Sequence, residues 1–344
     1  MFTTARQTVR VTPTVSRDHV LRYRARASHL HAKLPAGSFA AAAWGGLQDS
    51  IPRAGVMSLH ARVEGTQPDS WEDPSVVQIW FRGGADYIVP RADAGIFTLG
   101  SYPRDPEDGR RLETLADEIH RVTEGRTLRV AEVSERLRLA HQTHIRGAAV
   151  TGRVHIRWDA SNIWLIPVER PAIDVDDARR ELARRFLHWY GPTTVATLAR
   201  WTGVRPAEAR TTWADIEAEL VEVDVAGERR FTLAADLEAL ERAEPIAGVR
   251  LLPMDDPLTK LDKELLVADE ELRRRVVPPY GDGSGYIPGA VLVDGEIVGG
   301  WQRQQRKVTI HPFTRPSASV REAIEAEGLA VPIAGTAPPS VGWD

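Results

Sequence analysis

One arrangement recurs three times along this chain: segments of helical period closed by a strand, a turn and a second strand. The third copy is the clearest. DVDDARRELARRFLHWYG (174–191) opens on aspartates and ends on glycine, the residues that cap a helix. PTTVATLARWTG (192–203) opens on proline, and RPAEARTTWADIEAELVEV (205–223) reads as a long helix. VEVDVAGERRFTLA (221–234) reads as a hairpin turning at Ala226-Gly227. The second copy runs through helical segments 111–122 and 130–141 into AAVTGRVHIRWDASNIWLIP (148–167). Its strands meet around Asp159-Ala160-Ser161-Asn162. The first copy has helical segments over 18–33, 37–48 and 52–63, then SVVQIWFRGGADYIVP (75–90), two strands about Gly83-Gly84. Within it lies a short polar break, Gln48-Asp49-Ser50-Ile51-Pro52. There Pro52 suits a first helical position and Asp49 or Ser50 the N-cap. Three helices and a hairpin are the plan of a winged helix, a helix-turn-helix variant.

After residue 245 the pattern changes. GVRLLPMDDP (248–257) and SGYIPGAVLVDGEIVGGWQRQQRKVTIHPF (284–313) read as antiparallel strands, 317–327 as a late helix, and VPIAGTAPPSVGWD as a loosely ordered tail. The expected fold class is therefore α+β: three tandem winged-helix units followed by a small antiparallel β-barrel-like domain. The expected boundaries are 1–105 (the first unit with an N-terminal arm), 106–172, 173–243, 244–330 for the β domain, and 331–344 for the tail.

Several chemistries are excluded early. The chain has no cysteine, so it has no disulfide scaffold, thiol nucleophile or thiolate metal site. His29 and His31, and His141 and His144, are closely spaced, but no HExxH or comparable carboxylate partner accompanies them, and no metal is expected. No nucleophile elbow, P-loop or dinucleotide fingerprint occurs, and the glycine-rich 281–285 reads as a loop. The opening twenty residues lack the apolar core of a signal peptide, and no apolar run approaches the roughly 18 residues of a membrane span. A cytoplasmic, nucleoid-associated monomer is expected.

Charge points to a polyanion-facing side. The net charge is −4, but residues 1–200 carry 28 basic and 23 acidic groups while 201–300 carry 11 and 21. Forty of the 44 basic residues are arginine, the fork that suits phosphate, though a GC-rich genome gives the same bias. Arg153, His155 and Arg157 alternate, so period two puts them on one strand face. Gln302 to Lys307 form a basic turn. Each suits a duplex, and each has a plain alternative as a solvated surface. The 205–223 helix, with five acids against two arginines, is expected to be scaffold. In the break at 48–50, an amide, a carboxylate and a hydroxyl are suited to orienting water against an electrophilic carbon; capping the next helix is the alternative.

WGGLQDSIPRAGVMSLHARVEG (44–65) resembles the AlkZ/YcaQ-like tandem winged-helix DNA glycosylases, bacterial enzymes that excise bulky N-alkylated bases and unhook interstrand crosslinks. Further echoes follow in the family's order: 76–100, 152–167, FLHWYGPTTVATLARWTG (186–203), VRLLPMDDPL (249–258) and VLVDGEIVGGWQR (291–303). The family's catalytic signature is glutamine, an apolar residue, then glutamine or aspartate. Gln48 matches its first position, Asp49 falls on the apolar one and Ser50 on the last. The family's Arg-Gly-Thr-x-His run is replaced by Arg82-Gly83-Gly84-Ala85-Asp86-Tyr87, so this is a divergent branch. The resemblance implies a monofunctional glycosylase acting on duplex DNA with alkylated bases, without metal or organic cofactor. Gln48 would hold water, Asp49 supply charge or act as base, and Ser50 hydrogen-bond. The implied DNA-binding residues are Arg53, Arg62, Arg82, Arg153, His155, Arg157, Arg303, Arg306 and Lys307. The alternatives are a DNA-binding or regulatory protein that has lost the signature, and a winged-helix assembly used for protein interaction.

Overall fold

The structure is a computed structural model that describes residues 12–276 and 288–344. It is a mixed α+β architecture with three sheets among the described residues. The expected hairpins form: Val76–Phe81 with Ala85–Pro90, Val154–Trp158 with Ile163–Pro167, and Leu220–Val225 with Glu228–Leu233. The first two are joined. Gln78 pairs with Ile156, and the strands Leu47–Gln48 and Leu128–Arg129 extend the edges into one six-stranded sheet. The third hairpin stands apart and gains Thr14–Val15 as a parallel edge.

Helix Val175–Tyr190 shows why these elements form. The Asp174 carboxylate accepts from the backbone N–H groups of Asp176 and Asp177, and those acids sit in the positive first turn. Ala178, Leu182, Ala183, Phe186 and Tyr190 fall on one buried face at helical spacing. Phe186 and Tyr190 pack on Trp201, which also meets Phe81 of the first hairpin. Burying such side chains stabilises the fold by about 1.5–3 kcal/mol each. This helix thus binds the third repeat to the sheet that carries the polar break.

Four expectations are corrected. The 37–48 helix is only Phe39–Ala42. It stops at its C-cap Ala43, and Gly45 and Gly46 then turn the chain: Gly46 has φ +81°, and a Cβ on Gly45 would lie 2.2 Å from the Trp189 ring. The chain therefore reaches Gln48 as extended strand. The 205–223 helix stops at Asp215, because Leu220 and the alternating residues after it are claimed by the third hairpin. The C-terminal sheet is open. Its strands run in the order Val249–Leu252, Gly289–Val293, Glu296–Gln304, Lys307–Pro312, Ser340–Trp343, and the outer two do not pair. Helix Ala318–Leu329 packs against the first and last of these strands, where closure would otherwise occur. The last strand lies in the expected loose tail and pairs parallel with Lys307–Pro312. Residues 1–11 of the first expected unit and the glycine-rich 281–285 lie outside the described residues.

Candidate functional site

The strand Leu47–Gln48 runs antiparallel to Ala85–Pro90, with Leu47 opposite Ile88 and Gln48 opposite Tyr87. The backbone N–H of Asp49 continues the ladder to the Asp86 carbonyl at 2.8 Å. Extended backbone sends successive side chains to opposite faces. Gln48 and Ser50 therefore share one face, and Asp49 takes the other.

On the first face Gln48 is 4% exposed and fully hydrogen-bonded. Its Oε1 accepts from the Tyr87 hydroxyl at 3.2 Å and from the Lys260 ammonium. Its Nε2 donates to Asp255 Oδ2 at 3.1 Å and to Ser50 Oγ at 3.3 Å. Lys260 also pairs with Asp255 Oδ1 at 3.3 Å. Burial pulls the Lys260 ammonium down to about 8, with the Asp255 charge opposing the shift. Residues 255 and 260 arrive from the turn and short helix Pro257–Lys260, capped by Asp256 through the Leu258 N–H.

On the opposite face Asp49 is 0% exposed. Its Oδ1 accepts from the Gly55 N–H at 2.8 Å and its Oδ2 from Gln78 Nε2 at 2.9 Å, with the Arg53 guanidinium 3.8 Å away. Gln78 is itself oriented, because its Oε1 accepts from the Trp158 N–H. Burial pushes the Asp49 carboxyl up to about 7, against those hydrogen bonds and the Arg53 charge. Asp49 anchors the start of helix Ala54–His60 and bridges the two joined hairpins. Its carboxylate has no surface through which to meet a substrate. Nearby Asp86 is also buried and is pushed up to about 6 by that burial, while its backbone N–H donates to Ser50 Oγ.

Three residues after the half-buried Ser50, a group of cationic and aromatic side chains begins. Arg53 stacks 4.0 Å over the Trp71 ring and donates to the Trp158 carbonyl. Arg157 lies 5.1 Å from the same ring and pairs with Glu72. Arg303 donates to the Pro52 carbonyl from the C-terminal sheet. Two of the nine expected DNA-binding residues thus meet at Trp71, where Arg53 also lies near Asp49, and a third, Arg303, reaches Pro52.

The others lie elsewhere. Arg62 is a core residue, 0% exposed, held bidentate by Asp256 and donating to the Ser28 and Ser58 carbonyls. Every donor direction of its fork is directed inward, so it presents nothing to a duplex. His155 and Arg157 lie two apart on the strand Val154–Trp158, Arg153 immediately precedes it, and three environments divide them. Arg153 pairs with Glu113 and Asp117 on the helix Pro106–Thr123. His155 is largely enclosed, and burial beside Arg91 holds it down to about 4, so it carries no charge at neutral pH. Arg82 donates to the Arg200 carbonyl at the rim of a separate cleft of about 320 Å³. Arg306 ties down the Ile333 and Ala334 carbonyls, and Lys307 is exposed beside it. Tyr87, Asp255, Lys260 and Gln78 are not singled out as site residues by sequence; Gln78 and Tyr87 fall within the echo at 76–100 and Asp255 within VRLLPMDDPL, while Lys260 lies outside every echo.

Among the described residues, no group of three or more His, Asp or Glu is placed to hold a metal ion. No helix there is long and apolar enough to cross a membrane.

Comparison with known proteins agrees with this architecture. The chain is 30% identical over 161 residues to an interstrand DNA cross-link repair glycosylase of Streptomyces sahachiroi, a match that covers 45% of this chain and 42% of that protein's length. The solved structure of the Streptomyces sahachiroi DNA glycosylase AlkZ superposes with a TM-score of 0.75, covering 96% of this chain and 100% of that one at 21% identity, which establishes a shared fold. The sequence model of the AlkZ-like DNA glycosylases matches residues 41–331, and on that match this chain belongs to the AlkZ-like DNA glycosylase family.

Proposed function

We propose that this protein is a monofunctional DNA glycosylase that hydrolyses the N-glycosidic bond of bulky or cationic N-alkylated purines, crosslinked ones included. The three helix-and-hairpin repeats act as tandem winged helices cupping a duplex, and the monomer works in the cytoplasm on the nucleoid. The observation that carries the reading is the Gln48–Ser50 face. It is a dense polar cluster where the first repeat meets the Asp255–Lys260 segment, with Arg53 and Arg157 gathered at Trp71 behind the strand and Arg303 reaching Pro52 two residues further on. Family membership supports the reaction class, and the relative's name supports crosslinks as substrates.

The chemistry asks little of the protein. N7- or N3-alkylation makes the purine cationic and weakens its bond to C1′. The base departs with the bonding electron pair and leaves an oxocarbenium-like sugar, and a positioned water adds at C1′. The phosphates would lie on these three arginines, where cations position a duplex without reading its sequence. Enzymes that reach a base inside a duplex usually flip it out of the stack. A bulky adduct or crosslink resists flipping, and an open groove is better suited to it. Gln48 organises the site, Ser50 offers a hydroxyl at its edge, and Asp49 secures the strand from behind.

The test is direct. Incubation with duplexes carrying N7- or N3-alkylpurines, followed by chromatography, is expected to yield free alkylated base and an intact strand with an abasic site. Salt-dependent duplex binding without base release would favour the non-catalytic DNA-binding alternative.

A further inference from the structure

The groups around Gln48 divide the work unequally. A glutamine amide has two acceptor and two donor positions, and all four are filled here: Tyr87 and Lys260 on Oε1, Ser50 and Asp255 on Nε2. A side chain so saturated has nothing left with which to hold a water. Asp255 has. An ionised carboxylate offers about four acceptor positions, of which Gln48 and Lys260 take two, and its side chain stays 15% exposed where Lys260 is 3%. Ser50 accepts from the Asp86 N–H and from Gln48, and its own hydroxyl hydrogen is donated to none of the described residues. One open acceptor and one open donor therefore stand on either side of the Gln48 amide.

The backbone at Asp255 is itself unusual. It sits at φ +65°, a region costly for a residue with a side chain and one that persists where the surroundings enforce it. Asp256 enforces it here: its carboxylate is held by both ends of the Arg62 fork and by the Ser58 hydroxyl, and it caps the following helix. A buried ion pair thus fixes the turn that brings Asp255 to Gln48.

We propose that Asp255 is a catalytic residue of the glycosylase reaction, holding the attacking water together with Ser50 and accepting its proton. This rests on the glycosylase reading above. As the water oxygen bonds to C1′, one water proton passes to the Asp255 carboxylate. The C1′–N bond breaks with its electron pair leaving on the alkylated base, which departs neutral. The products are free base and an abasic sugar with a C1′ hydroxyl, and the proton on Asp255 then returns to solvent.

The experiment is single-turnover release of 7-methylguanine from a methylated duplex by the full chain, wild type against Asp255→Ala and the near-isosteric Asp255→Asn, with and without sodium formate. Both variants are expected to lose about 100-fold or more in release rate while binding the duplex within threefold of wild type. Formate, a free carboxylate small enough for the vacated space, is expected to restore at least tenfold in Asp255→Ala, which a purely structural role would not allow. Release by a folded Asp255→Asn within threefold of wild type overturns the assignment and leaves the glycosylase reading standing, and so does a folded Asp255→Ala that formate cannot rescue. Absence of release by the wild-type protein overturns the glycosylase reading and this inference with it.

Discussion

The amide of Gln48 donates to the carboxylate of Asp255 at 3.1 Å, across a separation of 207 residues. That bond joins the edge strand of the first repeat to the C-terminal segment. It makes the candidate site a property of the whole fold rather than of one repeat.

The three arginines of the proposed duplex contact should be separable from their look-alikes. Arg53→Ala, Arg157→Ala and Arg303→Ala are expected to weaken duplex binding, each reducing the salt slope by about one. Arg153→Ala should leave both unchanged, because its guanidinium is engaged by Glu113 and Asp117. Binding titrations at several salt concentrations check this. Equal slopes for all four variants would remove that contact.

Arg62 should behave as a core residue. Its replacement by alanine leaves Asp256 charged and buried without its partner, and the expected cost is about 3–5 kcal/mol of stability. Denaturant unfolding measures that loss. Under conditions where the variant is still folded, duplex affinity should match wild type.

Asp49 should control a pH dependence of stability. Its carboxyl is raised from 3.8 to about 7, so between those values the unfolded chain has released a proton that the folded chain retains. Stability contributed by this group is therefore present at acid pH and lost as pH rises from about 4 to 7. Asp86, raised to about 6, acts in the same sense, and His155, lowered to about 4, acts against it. Asp49→Asn cannot titrate, so its melting temperature should fall less steeply across that window than that of wild type. At neutral pH the variant should also be less stable by about 1–3 kcal/mol. Gln78, held by Trp158, would then point a donor at a donor. A pH series of thermal melts in both proteins decides it.

The alkaline side belongs to Lys260. Its ammonium is lowered from 10.5 to about 8, so between those values the folded chain binds fewer protons than the unfolded one. Burial of the charged form penalises the fold below about pH 8, and stability should rise from about pH 8 to 10.5. Base release should decline over the same range, as the charge that fixes Gln48 and Asp255 is lost. Lys260→Met should flatten the stability rise.

What sequence could reveal here was local. The cap at Asp174, the hairpin around Gly83-Gly84 and the hairpin around Asp159 to Asn162 each depend on residues within a few positions, and each is found in the structure. The polar break was visible as well, but it was read as the end of a helix. Packing decided otherwise: the Trp189 ring occupies the space a side chain at Gly45 would need, and the chain becomes strand just before Gln48. Once the segment is strand, period two separates Asp49 from Gln48 and Ser50. Asp255, Lys260 and Tyr87 carry no local sign that they share a site with Gln48, because that comes from long-range contact. Arg62 was misread for the same reason: an arginine fork looks alike in sequence whether phosphate or a buried aspartate fills it.

The most direct measurement is single-turnover release of alkylated base by wild type and Gln48→Ala on the same N7-alkylated duplex. The account predicts release by wild type and a loss of about 100-fold or more in the variant, with duplex affinity unchanged. Release by Gln48→Ala at the wild-type rate would contradict it, since the chemistry would then lie away from this cluster.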